Sequence, residues 1–267
     1  MDDRAIGMFD SGFGGLTVAR ALIDLLPGED LVYFGDTGRY PYGPRDLDEV
    51  RDFARQITAM LIERHDVKMV VVACNTAAAA ALDLLRFEFE VPIVGVIDPG
   101  VRAMLAATRN RRVGVIGTVG TIGSGAYQRA VRGMRVDVAL TCSACPGFVE
   151  FVERGETDSE QVHVLAERLL APVKQAGVDT LLLGCTHYPF LARTIGDVLG
   201  PEVVLVSSAE ETAFEVLDIL EETGLSKRTS AKGEHRFVSS GDVQWFRELG
   251  ERLLGPELDG VEPWTWD

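Results

Sequence analysis

Lysine is nearly absent from this chain. Its 267 residues hold it only at Lys68, Lys174, Lys227 and Lys232, and none of these stands in a motif that reads as an active-site strand end. A Schiff-base lysine for a pyridoxal cofactor therefore has no good candidate. Positive charge as a whole is short: 26 Lys and Arg face 41 Asp and Glu, a formal net charge of −15. That balance argues against a nucleic-acid binder, whose affinity rests on cations neutralising phosphates. It still permits a small anionic substrate held by local backbone donors. No apolar run reaches the roughly 18 residues that a membrane helix needs. The N-terminal MDDRAIGMFD also lacks the basic-then-apolar order of a secretory signal. The reading is a cytoplasmic protein without a membrane partner. Cysteine is sparse, and Cys74, Cys142, Cys145 and Cys185 form no disulfide framework in such a compartment. Buried, metal-binding or catalytic roles are left for them.

What is present is ordered. Short apolar runs alternate with longer amphipathic stretches over a length sufficient for one large domain or two modest ones. Strands are expected at Ala5–Phe9, Leu31–Phe34, Met69–Ala73, Ile93–Val96, Arg112–Ile116, Val136–Leu140, Thr180–Leu183, Val203–Val206 and His235–Ser239. Apolar residues at helical spacing mark Asp46–Arg64 and Ser159–Ala176. Strand and helix in alternation predict an α/β fold with largely parallel sheets. Such folds bind ligands beyond the carboxyl ends of strands.

The loops at those ends echo one another. MFDSGFGGLT and then VVVACNTAA follow strands in the first half; VIGTVGTIGSG and then LLLGCTHYP follow strands in the second. Asp10 precedes Cys74 by 64 positions, and Thr118 precedes Cys185 by 67. Two similar units, each with a glycine-rich loop and a strand-end cysteine, would put Cys74 and Cys185 across a cleft from each other.

Cys74 is followed by Asn75, Thr76 and a run of alanines with strong helix propensity. The amides of such a helix start lower a thiol's pKa and offer an anion site. LLLGCTHYP repeats the arrangement at Cys185, with Thr186 as a candidate N-cap and His187 able to take a thiol proton or stabilise a thiolate. Either cysteine alone would read as packing material. Two in matching contexts read as chemistry.

MFDSGFGGLTVARAL fails the dinucleotide fingerprint, since Thr17 stands at its third glycine. A glycine nest there binds a carboxylate as readily as a phosphate. Asp10 can orient a substrate ammonium or a thiol, or cap a helix. Thr118, Thr121 and Ser124, among glycines, read as a second hydroxyl-rich anion loop. Cys142 and Cys145 form C-S-A-C, either half a zinc site without its second half or a redox dithiol. Glu150 and Glu153, three apart on an expected helix, offer a site carboxylate or a solvated face.

Two facing thiols with carboxylates, hydroxyls and glycine nests suit the inversion of a stereocentre. One base returns a proton only to the face it came from; inversion needs a thiolate and a thiol on opposite faces. The carbanion between them must be held by preorganised donors.

Taken together, FDSGFGGLTV, YFGDTGRYPYG, ACNTA, GTVGTIGSGAY and LLGCTHYP resemble the signature segments of bacterial glutamate racemases, in family order over residues 7 to 191. The resemblance implies a two-domain α/β enzyme of pseudo-twofold symmetry with its site in the cleft. It implies no pyridoxal, no other cofactor and no metal, and the supply of D-glutamate for peptidoglycan. The first domain would comprise 1–97 plus 208–267 and the second 98–207, the chain crossing at about Ile97 and returning near Ser207. Cys74 would take the proton of D-glutamate with Asp10 assisting, and Cys185 that of L-glutamate with His187 and Glu153. Ser11, Tyr42, Gly43, Asn75, Thr76, Thr118, Thr121 and Thr186 would hold substrate, together with Asp10 and His187. Gly38 and Tyr40 stand where the family more often has alanine and valine, and Glu150 and Phe151 where proline and leucine are frequent.

Aspartate and hydantoin racemases share the cysteine pair, so the choice of glutamate rests on the resemblance. Family members are commonly homodimers, and some are associated with DNA gyrase inhibition. A protein-binding regulator is the reading from another class.

Overall fold

The structure, a computed structural model, describes residues 2–266 apart from 228, 230 and 259. The chain opens with β1 (Ile6–Asp10), α1 (Leu16–Leu25), β2 (Leu31–Gly35), α2 (Leu47–His65), β3 (Met69–Val72), α3 (Asn75–Glu88) and β4 (Ile93–Gly95). There follow α4 (Ile97–Ala107), β5 (Arg112–Gly117), α5 (Val119–Gly123), α6 (Ala126–Gly133), β6 (Ala139–Ala144), α7 (Phe148–Glu153) and α8 (Glu160–Gln175). Then come β7 (Thr180–Gly184), a 3₁₀ turn (Tyr188–Leu191), α9 (Ala192–Leu199) and β8 (Val204–Val206). Last are α10 (Ala209–Thr223), β9 (His235–Ser239), α11 (Val243–Leu254) and β10 (Glu262–Pro263).

Two compact units result, Met1–Val96 with Ala209–Asp267, and Ile97–Ser208. The first holds a sheet in the order β10-β9-β2-β1-β3-β4, the second one in the order β6-β5-β7-β8. Every pairing is parallel, as the α/β reading expected. Parallel strands need long crossovers and are covered on both faces. Accordingly β1, β2, β3 and β7 are buried at every residue, which is why they read as unbroken apolar runs. Local signals place the helices. Asp46 caps α2 by accepting from the Asp48 amide at 2.8 Å, and Ser159 caps α8 by accepting from that of Val162 at 3.3 Å. Among the described residues, no helix is long and apolar enough to cross a membrane.

Two expectations need correction here. The strand expected at Val136–Leu140 lies instead at Ala139–Ala144, paired with β5 alone. As a half-covered edge it carries the polar run Thr141-Cys142-Ser143, which no apolar pattern signals. The glycine-rich stretch after β5, read as a loop, contains α5 with Thr118 as its N-cap. A threonine cap outweighs the helix cost of two glycines over a single short turn.

The core of each sheet repeats one topology. β2-β1-β3-β4 in the first unit corresponds to β6-β5-β7-β8 in the second. The chain runs from β1 out to β2 and then crosses back to β3 on the other side of β1, and likewise from β5 to β6 and back to β7. Ligands in open α/β sheets bind in the crevice beyond the carboxyl ends of strands at such a reversal. Asp10 ends β1 and Cys74 follows β3; Thr118 follows β5 and Cys185 follows β7.

One lysine is used in the interior. Lys68 is fully buried before β3, donating to Glu29 Oε2 at 2.5 Å and to the carbonyls of Asp2 and Leu225 at 2.9 Å. Glu29 Oε1 in turn accepts from the Lys227 amide at 2.7 Å. Every proton of this ammonium has an acceptor, the condition under which a buried charge is tolerated.

Candidate active site

In the first unit the glycine turn after β1 is drawn tight around Asp10. Its Oδ2 accepts from the Gly12 amide at 3.0 Å, and the Tyr33 hydroxyl donates to the Gly12 carbonyl at 3.0 Å. A Cβ on Gly15 would stand 2.6 Å from Asp10 Cβ and 2.8 Å from the Tyr33 hydroxyl, so only glycine fits. Asp10 is not a helix cap, because α1 begins at Leu16 behind Gly15. It is wholly buried and held close to Cys74, and its charge is felt by the thiol.

Cys74 is itself the N-cap of α3. Its sulfur accepts from the Ala77 amide at 3.5 Å and donates to Ser11 Oγ at 3.7 Å. Asn75 and Thr76 open the helix, both buried. The helix amide lowers the thiol's pKa as expected. Burial and then the Asp10 carboxylate outweigh it, pushing Cys74 up to about 12. The expected net lowering is thus reversed. Tyr42 is buried with its hydroxyl donating to Asp36, and Gly43 next to it is half-buried.

In the second unit Thr118 Oγ1 accepts from the Thr121 amide at 3.2 Å and lies 2.9 Å from Thr121 Oγ1; both threonines are buried. Cys185 follows a glycine with no room for a side chain: a Cβ on Gly184 would meet the Ile116 carbonyl at 2.7 Å and the Tyr127 hydroxyl at 2.9 Å. No α-helix starts at Cys185. The Tyr188 amide bonds its carbonyl at 3.0 Å, and a 3₁₀ turn follows with His187, not Thr186, in the cap position. The cause is Pro189 at the start of that turn.

That turn brings His187 round to the cysteine. Its Nδ1 lies 3.9 Å from Cys185 Sγ and 3.5 Å from Thr186 Oγ1, while Nε2 lies 3.8 Å from Glu153 Oε1. Thiol, imidazole and carboxylate stand in sequence. Glu153 is largely buried there, whereas Glu150 is exposed. Burial pushes the imidazole down to about 4. His187 is therefore neutral near pH 7, with a lone pair available for a thiol proton.

This depression has a consequence for stability. Below the ordinary value of 6.5, the unfolded chain's His187 takes up a proton that the folded chain refuses until about pH 4. Stability therefore falls as pH drops through that window, by about 3 kcal/mol from this group. Urea unfolding of wild type and His187→Asn between pH 4 and 7 measures it: the wild type should lose more. Equal losses would assign the acid lability to other groups.

Sequence reasoning missed two residues. Tyr33 and Tyr127 are buried near Cys74 and Cys185 respectively, and each has its phenol raised by burial and then by neighbouring acidic groups that include that cysteine. Nothing distinguishes them in the sequence from ordinary inward aromatics. Cys142 and Cys145 fit a redox dithiol poorly. Cys142 lies within β6, Cys145 is buried just beyond it, and burial pushes their thiols up to about 11 and 12. Asp158, His163 and Asp197 form a surface group, with His163 Nε2 at 3.8 and 3.6 Å from the two carboxylates. Arg193 neutralises Asp158 at 3.2 Å.

A family model described as Asp/Glu/Hydantoin racemase matches residues 14–214. The chain belongs to this racemase family. Within it, the chain sits among the bacterial glutamate racemases. It is 54% identical to the glutamate racemase of Mycobacterium leprae, over 97% of this chain and 94% of that one. The crystal structure of a glutamate racemase from Bacillus anthracis has a TM-score of 0.93 at 40% identity, covering 100% of this chain and 98% of the other. That of the Francisella tularensis glutamate racemase, in complex with D-glutamate, has a TM-score of 0.91 at 34% identity, covering 99% and 98%.

Proposed function

We propose that the chain interconverts L- and D-glutamate through Cys74 and Cys185, each acting on its own face of the substrate's α-carbon. The observation that carries this reading is the repeated topology, which ends in a buried cysteine at the corresponding strand of each unit. In one direction the Cys185 thiolate takes the α-proton of L-glutamate and becomes a thiol. The electron pair left on the α-carbon delocalises into the carboxylate. The Cys74 thiol then gives its proton to the opposite face and becomes a thiolate. The reverse direction exchanges the roles. His187, oriented by Glu153, receives the proton when Cys185 is made ready, and Asp10 serves Cys74.

A thiol at about 12 resists this, held protonated by burial and by the Asp10 carboxylate. The substrate's ammonium supplies the missing counter-charge near Asp10 and Cys74. Substrate thus prepares its own base. Ser11, Asn75, Thr76, Thr118, Thr121 and Thr186 hold the carboxylates. The product D-glutamate feeds peptidoglycan synthesis.

Circular dichroism of pure L-glutamate incubated with the protein tests the activity. The signal should decay to zero as the racemate forms, and from D-glutamate it should decay to the same end point. A stable signal with glutamate and a decaying one with aspartate would move the chain to the neighbouring specificity.

A further inference from the structure

The loop after β2 is fastened to the C-terminal segment through one buried carboxylate. Asp36 has no exposed surface and receives four donors. Arg39 Nε reaches Oδ2 at 2.7 Å and the Tyr42 hydroxyl shares that oxygen. Ser240 Oγ reaches Oδ1 at 2.6 Å and Trp266 Nε1 reaches it at 3.2 Å. Two of these come from the loop itself and two from residues more than two hundred positions away. The Arg39 guanidinium lies over the rings of Phe53 and Trp266, 4.1 Å from each centroid, and its Nη1 donates to Gln56 Oε1 at 2.7 Å. Trp266 is fixed in turn, edge-on to Phe34 at 5.5 Å and to Trp264 at 5.8 Å. The Trp264 amide bonds the Ser239 carbonyl at 2.8 Å.

The departure at position 38 belongs to the same fastening. The Gly38 amide donates to Ser240 Oγ at 3.0 Å, and a Cβ there would stand 2.6 Å from the Ser240 carbonyl oxygen. An alanine would push the loop off β9's end. Glycine lets the two backbones meet.

We propose that Trp266 and Arg39 are positioning residues for substrate. They fix the Asp36 carboxylate, which holds the Tyr42 hydroxyl and so sets the backbone presented at Tyr42 and Gly43. The inference rests on the reading above that Tyr42 and Gly43 bind glutamate. An arginine over two aromatic rings cannot swing, and a buried carboxylate with four donors cannot rotate without losing one. Affinity for substrate is then governed by a tryptophan that the reacting atoms never touch.

Steady-state kinetics of Trp266→Ala separates this from a merely structural role. KM for D-glutamate should rise about tenfold, with kcat changed less than about twofold. Trp266→Phe keeps a ring over Arg39 but loses the N–H, and should fall between wild type and the alanine variant. Gly43→Ala, which alters the loop directly, should also raise KM. If Gly43→Ala raises KM and Trp266→Ala does not, the positioning role is wrong and the substrate loop stands. If neither moves KM, substrate binds elsewhere and both readings fall. A Trp266→Ala variant that loses kcat and melting temperature at unchanged KM also overturns the proposal. Should that variant fail to fold, Trp266→Phe and Arg39→Lys carry the same comparison.

Discussion

Cys74→Ser should abolish racemisation in both directions, by at least about a thousandfold. A serine hydroxyl is far less acidic than a thiol, and each direction needs one cysteine to take the proton and the other to give it. The two directions therefore fail together. The remaining Cys185 keeps its own face, so in deuterated water the variant should still exchange the α-proton of L-glutamate, slowly and without inversion. Cys185→Ser should behave in mirror image with D-glutamate. Proton NMR follows the exchange and polarimetry follows the inversion in the same sample. Substantial racemisation surviving in either single variant would remove the cysteine pair from the mechanism. The two variants should also differ from each other. Cys185 has the His187–Glu153 pair beside it, so exchange by Cys185 in the Cys74 variant should respond to His187→Asn, and exchange by Cys74 in the Cys185 variant should not.

Lys68→Met should be strongly destabilising, although it lies apart from both cysteines. It leaves the Glu29 carboxylate buried with its cation gone, and strips two backbone carbonyls, those of Asp2 and Leu225, of their donor. Breaking a buried pair from one side costs about 3–5 kcal/mol, a large part of a domain's stability. Guanidinium unfolding followed by far-ultraviolet circular dichroism measures the loss. The double variant with Glu29→Gln should recover a good share, because the uncompensated charge is the larger part of the penalty. A loss below about 1 kcal/mol in Lys68→Met would mean that water replaces the lysine.

What could be read in advance follows from how each feature is buried. Parallel strands covered on both faces are continuous apolar runs, so Met69–Val72 and Thr180–Gly184 were legible at once, and with them the cysteines at their ends. The edge strand Ala139–Ala144 was misplaced because its outer side is not covered by a neighbour and its composition is polar. His187 and Glu153 were legible as residue types beside a cysteine, though not the 3₁₀ turn that brings the imidazole to the thiol. The thiol's own acidity was not legible. A helix start is visible in sequence; complete burial beside Asp10, which decides the sign at Cys74, is a tertiary fact. The same holds for Asp36. It stands within the segment YFGDTGRYPYG, but the donors from Ser240 and Trp266 arrive from a distant part of the chain that carries no motif.

The register of β9 beside β2 sets an order on the making of this protein. Leu31 pairs with His235 and Gly35 with Ser239, so the first unit's sheet gains its fifth strand only after the whole of the other unit has been synthesised. Chains emerge from the ribosome N-terminus first, and domains tend to fold as they appear. The segment Ile97–Ser208, continuous in sequence, can complete its core while the first unit still presents the open edge of β2. An exposed edge of apolar parallel strand is a hazard for misassembly. Here the hazard lasts until His235–Ser239 emerges, after the whole of Ile97–Ser208.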